Sequence, residues 1–270
     1  MKPPQVTPWG RSFSGWERGA QMCGMLPGMG EQQEQRPGQA EQADQKQCEQ
    51  QRRGELRFGV LSALLPELGA WAKGERRTHD QGLELIRSRI PGGEVVACAA
   101  GVGKVAAAQG AAVLLAQGVR SLWIVGTCGG LRAALPPGTF VHCETAIQAD
   151  LAVREGRASK PGRELQELWE GVEPGTLATF LTADRPVLSP WRRFKLRRAW
   201  PGLCVADMET AAAAAVALRA GIPWAAARTV TDSAGYGAGR TFQRNLQQMA
   251  GRAADTLPSV LARLAASDPQ

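Results

Sequence analysis

From residue 56 to the C-terminus, apolar runs of strand length alternate with Ala-rich stretches of helical spacing. Such runs must be covered on both faces, so the alternation constrains the fold more than any other feature. Residues 56–64 (LRFGVLSAL), 83–86, 94–99, 121–126, 138–147, 176–182, 203–206 and 224–231 read as strands. Residues 103–117, 161–171, 190–200, 208–220 and 242–266 read as helices. This order predicts an α/β fold. It would be a single three-layer domain with a mostly parallel central sheet and helices on both faces.

The first 54 residues lack this pattern. They hold 11 Gln, nine of them between Gln32 and Gln51, and residues 32–53 contain no Val, Ile, Leu, Phe or Trp. A stretch that cannot bury apolar surface does not offset its ordering entropy. Residues 1–54 are therefore expected to be a disordered Gln-rich N-terminal extension, and residues 55–270 the folded domain. The extension is nearly charge-balanced, so about +6 of the net +7 belongs to the domain.

Several function classes drop out. No run reaches the ~18 apolar residues that span a bilayer, and the opening segment does not read as a secretory signal. No membrane partner is expected. The six cysteines form no Cys-x-x-Cys pair, which argues against a zinc ribbon or a dithiol site. They fit a reducing cytoplasm. Only two histidines exist, His79 and His142. His79 is expected to be solvated, and His142, inside an alternating strand, to be structural. Any chemistry must then rest on carboxylates, arginine and backbone amides, with no metal or cofactor.

In sheets of this kind, ligands bind beyond the carboxyl ends of the strands. Four strand ends carry candidates. Glu67 follows the first strand by one short turn. Gly101 and Gly103, in Ala100-Gly101-Val102-Gly103-Lys104, form a glycine turn that opens a helix, where free N–H groups face a polar ligand. Ala106 breaks the dinucleotide fingerprint, and the flanking residues do not make a P-loop. Gly129 lies in Gly126-Thr127-Cys128-Gly129-Gly130-Leu131, where Cys128 has no base and reads as a small buried residue. Asp207-Met208-Glu209 opens an Ala-rich helix, and Thr231-Asp232 ends the next strand. Apolar neighbours of Asp232 would raise its pKa, which suits a general acid. Three carboxylates at one sheet rim, without metal-ligand spacing, point to glycosidic bond cleavage through an oxocarbenium-like transition state.

The motifs GVLSALLPE (59–67), AGVGKVAAA (100–108), GTCGGL (126–131), DMETAAAA (207–214) and VTDSA (230–234) occur in one order and spacing. By them the chain resembles the nucleoside phosphorylase/nucleosidase family, closest to its 5′-methylthioadenosine/S-adenosylhomocysteine nucleosidase branch. The resemblance implies that Asp232 protonates purine N7, steadied by Thr231. It implies that Glu209 binds the ribose hydroxyls, Met208 packs on the sugar and Glu67 activates water. Arg228 would help hold that water; the alternative is a strand arginine paired with neighbouring acids. A nucleoside substrate and a homodimer, its pocket completed by a neighbouring subunit, are also implied.

The loop 63–67 lacks the Gly-Asp/Asn-Pro signature and arginines of the phosphorylases, which favours water over phosphate. Two departures bear on specificity. Ala100 stands where such hydrolases carry Ser or Thr. Pro186 stands where the methylthioadenosine enzymes stack an aromatic on adenine. Branches resembling futalosine hydrolase or the hopanoid-associated nucleosidases therefore stay open, as does phosphorolysis. The segment 191–200 interleaves Arg with aromatics. It reads as a surface helix with Phe194 turned inward, and the non-enzyme alternative is a nucleic-acid-binding module on an inactive scaffold.

Overall fold

The computed structural model describes residues 56–152, 158–235 and 237–267. The expectation for residues 1–54 lies outside them. The elements run β1 (Leu56–Ser62), a 3₁₀ segment (Leu65–Lys73), β2 (Arg76–Asp80), β3 (Leu83–Ile90), β4 (Gly93–Ala99), α1 (Lys104–Ala116), β5 (Ser121–Gly130), β6 (Phe140–Gln148), β7 (Ala158–Ser159), α2 (Arg163–Glu170), β8 (Thr176–Thr182), α3 (Pro190–Ala199), β9 (Cys204–Asp207), α4 (Thr210–Arg219), β10 (Trp224–Asp232), α5 (Ala238–Met249) and α6 (Arg252–Ser267).

The sheet is mixed, which corrects the expected mostly parallel one. β5 lies parallel to β1 and β10 but antiparallel to β9. β6 lies parallel to β8 and antiparallel to β10, and β8 is parallel to β9. The path β5–β10–β6–β8–β9 thus returns to β5 and closes into a barrel, while β1, β4, β3 and β2 extend from β5 as an open wing. The closing end of β5 is tightly packed. β5 was expected to stop at residue 126, but it continues to Gly130 and pairs with β9 there. A Cβ at Gly130 would fall 2.2 Å from the Leu135 carbonyl oxygen, so only glycine fits.

Helices cover the sheet from two sides. The alanines of α1 and α4, among them Ala107, Ala111, Ala213, Ala214 and Ala217, pack with Leu61, Ile124 and Phe180. Their short side chains let helix backbone approach the strands. Leu257, Val260 and Leu261 of α6 pack with Phe58, Val60, Trp123 and Trp169 in a second core. Burying Leu257, Val260 and Leu261 contributes on the order of 1.5–3 kcal/mol each in transfer free energy.

Local differences from the sequence reading have local causes. β2, with the sequence RRTHD, carries too much charge to read as a strand and pairs only with β3 along the sheet edge. His79 is exposed on it. The expected closing helix 242–266 is two helices. Gly251 separates them because it lies against Gly69, where a Cβ would sit 2.8 Å from the Gly69 Cα. His142 is buried, its Nε2 2.8 Å from the Glu173 carbonyl oxygen. Burial lowers its pKa, and it sits edge-on to Phe140 and Trp169, a structural placement. Among the described residues no helix is long and apolar enough to cross a membrane.

Candidate active site

A cavity of about 500 Å³ opens at the carboxyl ends of β1, β5, β8, β9 and β10. Glu67, Gly129, Met208, Glu209, Arg228, Thr231 and Asp232 all line it. Four distant stretches of sequence thus meet at one rim, as the strand-end rule requires. Gly101 and Gly103 do not line the cavity, although Val102 between them does. Their contribution is indirect. Gly103, at φ +100°, turns its N–H onto Glu209 Oε1 at 3.1 Å.

Glu67 is held by the turn that follows β1. Pro66 lies in the first turn of the 3₁₀ segment, and the Glu67 carboxylate caps it. Its Oε2 accepts from the Ala63 and Leu64 amides at 3.2 and 3.0 Å. Its Oε1 accepts from the Thr127 N–H at 2.9 Å and the Thr127 hydroxyl at 2.6 Å. Four donors match the four lone-pair sites of a carboxylate, so its position is tightly set. Of the four, only the hydroxyl can rotate away.

Arg228 stands beside Glu67 with 1% exposure. Its Nη1 donates to the Thr127 carbonyl at 2.8 Å. Its Nη2 donates to Glu209 Oε2 at 3.2 Å, and its Nε lies 3.1 Å from Asp207 Oδ2 and from Thr210 Oγ1. Burial alone would favour the neutral guanidine. Asp207, Glu209 and Glu67 outweigh it and hold the arginine above its ordinary pKa. These contacts match the paired-strand alternative. Glu209 is shifted upward, chiefly by burial, with Arg228 opposing. A buried pair is tolerable only when its hydrogen bonds are filled, and here both partners are supplied.

Gly126 makes room for this cluster. It adopts φ +148°, and a Cβ there would lie 2.9 Å from Arg228 Nη1 and 3.0 Å from Glu67 Cδ. Gly126→Ala is expected to cost ~1–3 kcal/mol through overpacking and to displace Glu67. A thermal melt beside an activity assay checks it; wild-type values in both would refute the argument.

Asp232 ends β10 with 8% exposure. Its Oδ1 accepts from the Ala234 N–H at 2.8 Å and its Oδ2 from the Thr231 hydroxyl at 3.1 Å. Burial raises its pKa more than these hydrogen bonds lower it. Cys128 also lines the cavity, and burial pushes its thiol well up, so it is no thiolate nucleophile.

Helix α3 corrects one expectation. None of its residues is buried, and Phe194 faces outward at 51% exposure, stacked on Trp191 with ring centroids 5.6 Å apart. Its inward hydrogen bond comes instead from Arg193 Nε to the Leu131 carbonyl at 3.2 Å.

A family model described as the phosphorylase superfamily matches residues 57–266. The chain belongs to this superfamily. A 5′-methylthioadenosine/S-adenosylhomocysteine nucleosidase of Geobacillus kaustophilus is 28% identical over 224 residues, covering 76% of this chain and 94% of the relative. The nucleosidase of that description from Helicobacter pylori superposes with a TM-score of 0.74 at 20% identity, over 78% of this chain and 99% of that one. Futalosine hydrolase of Helicobacter pylori superposes with 0.73 at 20% identity, over 77% and 98%. These likenesses describe the superfamily fold.

Two members of this phosphorylase-superfamily site escaped the sequence reading. Thr127 supplies both donors to Glu67 Oε1. Asp207 receives Thr182 Oγ1, the Thr210 hydroxyl, the Thr210 N–H at 3.1 Å and Arg228 Nε. Asp207 was read only as the start of the Asp-Met-Glu motif, and its bonds to Thr182 and Arg228 join residues far apart in sequence. Nothing local marked Thr127.

Proposed function

We propose that this chain hydrolyses the N-glycosidic bond of an adenine nucleoside of the methylthioadenosine/S-adenosylhomocysteine kind. The curated relative named for that activity, aligned over 94% of its length, supports the substrate class. One observation carries the choice of water. Within the buried cluster one guanidinium, Arg228, faces three carboxylates, Glu67, Asp207 and Glu209, while the other arginine lining the cavity, Arg185, is an exposed residue of the wall after β8. Charges near Glu67 therefore sum in favour of a neutral nucleophile and against a phosphate dianion.

In this reading Asp232, in its protonated form, donates to purine N7. The C1′–N9 bond breaks and its electron pair passes into the purine ring. Glu209, fixed by Gly103 and Arg228, holds the ribose hydroxyls and stabilises the developing cation. The Thr127 hydroxyl rotates off Glu67 Oε1, and Glu67 takes the proton of the water that attacks C1′. Met208 packs on the sugar. Arg228 is a positioning residue, acting through Glu209 and Asp207.

The proposal extends to a cytoplasmic homodimer in purine salvage, with residues 55–270 as the catalytic domain. Pro186 at the rim favours a second reading, in which the base or 5′ group differs, as in a futalosine-type nucleoside. A panel of methylthioadenosine, S-adenosylhomocysteine, adenosine, deoxyadenosine and futalosine, with and without phosphate, tests all of this. Free base with free sugar, unaffected by phosphate, is expected. Sugar-1-phosphate that appears only with phosphate would overturn the hydrolytic reading.

A further inference from the structure

We propose that Lys104 is a positioning residue, setting the separation between the base-pocket wall and the ribose-binding carboxylate Glu209; this rests on the nucleosidase reading. Three strand ends converge on this lysine. Its Nζ lies 2.8 Å from Asp150 Oδ1, just past β6, and 3.2 Å from Asp184 Oδ2, just past β8. Its backbone N–H donates to Asp184 Oδ1 at 3.2 Å. The Asp184 N–H in turn donates to Asp150 Oδ2 at 3.0 Å. Asp184 is therefore gripped through its backbone and through both carboxylate oxygens.

What the grip controls lies on either side of it. Arg185, Pro186 and Val187 follow Asp184 directly and line the cavity. Gly103 precedes Lys104 directly and holds Glu209 Oε1. One side chain thus ties the base wall to the turn that orients the ribose carboxylate. Pro186 offers no flat ring to stack on a base, so this wall presents backbone and a fixed proline instead. Proline fixes one dihedral, and the Lys104–Asp184 contacts hold the residue two before it. The Lys104 side chain is 18% exposed and that of Asp150 32%, whereas Asp184 is 57% exposed, so the grip rests on the joint geometry of both pairs and the two backbone hydrogen bonds rather than on shielding of one ion pair.

The test is steady-state kinetics on Lys104→Met, which keeps the stem and removes the charge. KM for the nucleoside is expected to rise ~10-fold with kcat within ~2-fold, the pattern of lost uniform binding. The melting temperature should move little. Lys104→Arg should restore part of the affinity. Asp184→Asn should raise KM likewise, and the double variant should fall short of the product of the two effects. Amide hydrogen exchange reads the clamp without substrate: residues 101–104 and 183–187 should exchange faster in Lys104→Met. A wild type that releases no base from any nucleoside overturns the nucleosidase reading, and unchanged exchange in the variant overturns the clamp. Wild-type KM in Lys104→Met, or a loss of kcat and melting temperature with KM constant, overturns the positioning role.

Discussion

Asp232→Asn is expected to abolish most base release, lowering kcat by ~10²–10⁴-fold, while leaving the fold intact. Asn keeps the shape and can still accept from the Ala234 N–H, but it has no proton to give to N7. Stability should not fall. Burial raises the Asp232 pKa above its ordinary value. The stabilising contribution of the protonated form is complete below the unfolded value of ~3.9 and is lost as pH rises through the folded value. At neutral pH the buried charge therefore opposes folding, and Asn removes it. A melting temperature equal to or above wild type is expected, with kcat near background. For the wild type, kcat/KM should decline on the alkaline side as Asp232 loses its proton. A variant releasing base at the wild-type rate would refute Asp232 as the acid.

Arg228→Ala is expected to be the most damaging substitution for stability. It leaves Asp207 and Glu209 buried at 7% and 6% exposure without their cation. Breaking one side of a buried, hydrogen-bonded pair costs ~3–5 kcal/mol. For a domain of this size that is roughly 10 °C in melting temperature. Arg228→Lys should fall between, because an ammonium cannot reproduce the fork that reaches Thr127, Glu209 and Asp207 together. Calorimetry of both variants decides it. An Arg228→Ala protein melting within ~1 °C of wild type would show that the cluster is not held by this arginine.

The two substitutions separate two kinds of residue that look alike in sequence. Asp232 was legible because it ends an apolar strand, and a strand end is a local feature. Glu67, Glu209 and Thr231 were legible for the same reason. Gly101 and Gly103 were read as touching ligand, yet neither lines the cavity: the Gly103 amide is turned onto Glu209 and the Gly101 amide onto the Ala63 carbonyl. A glycine turn signals close approach without saying what approaches. Phe194 was expected inward because aromatics usually are. The structure turns it outward and seats the helix through Leu196 and Arg193.

What the sequence by itself determined was the α/β class, a sheet with helices on it, and the rim where the carboxylates gather. Those follow from short-range periodicity and from where apolar runs stop. Only the tertiary structure decided the barrel closure and the buried cluster. β5 pairs with β9 across more than seventy residues, and Arg228 reaches a Thr127 carbonyl 101 residues away. Register at such separations depends on how whole layers pack, and no local pattern encodes it. The cluster's charge balance, three carboxylates about one arginine, exists only after that packing, and on it rests the choice of water.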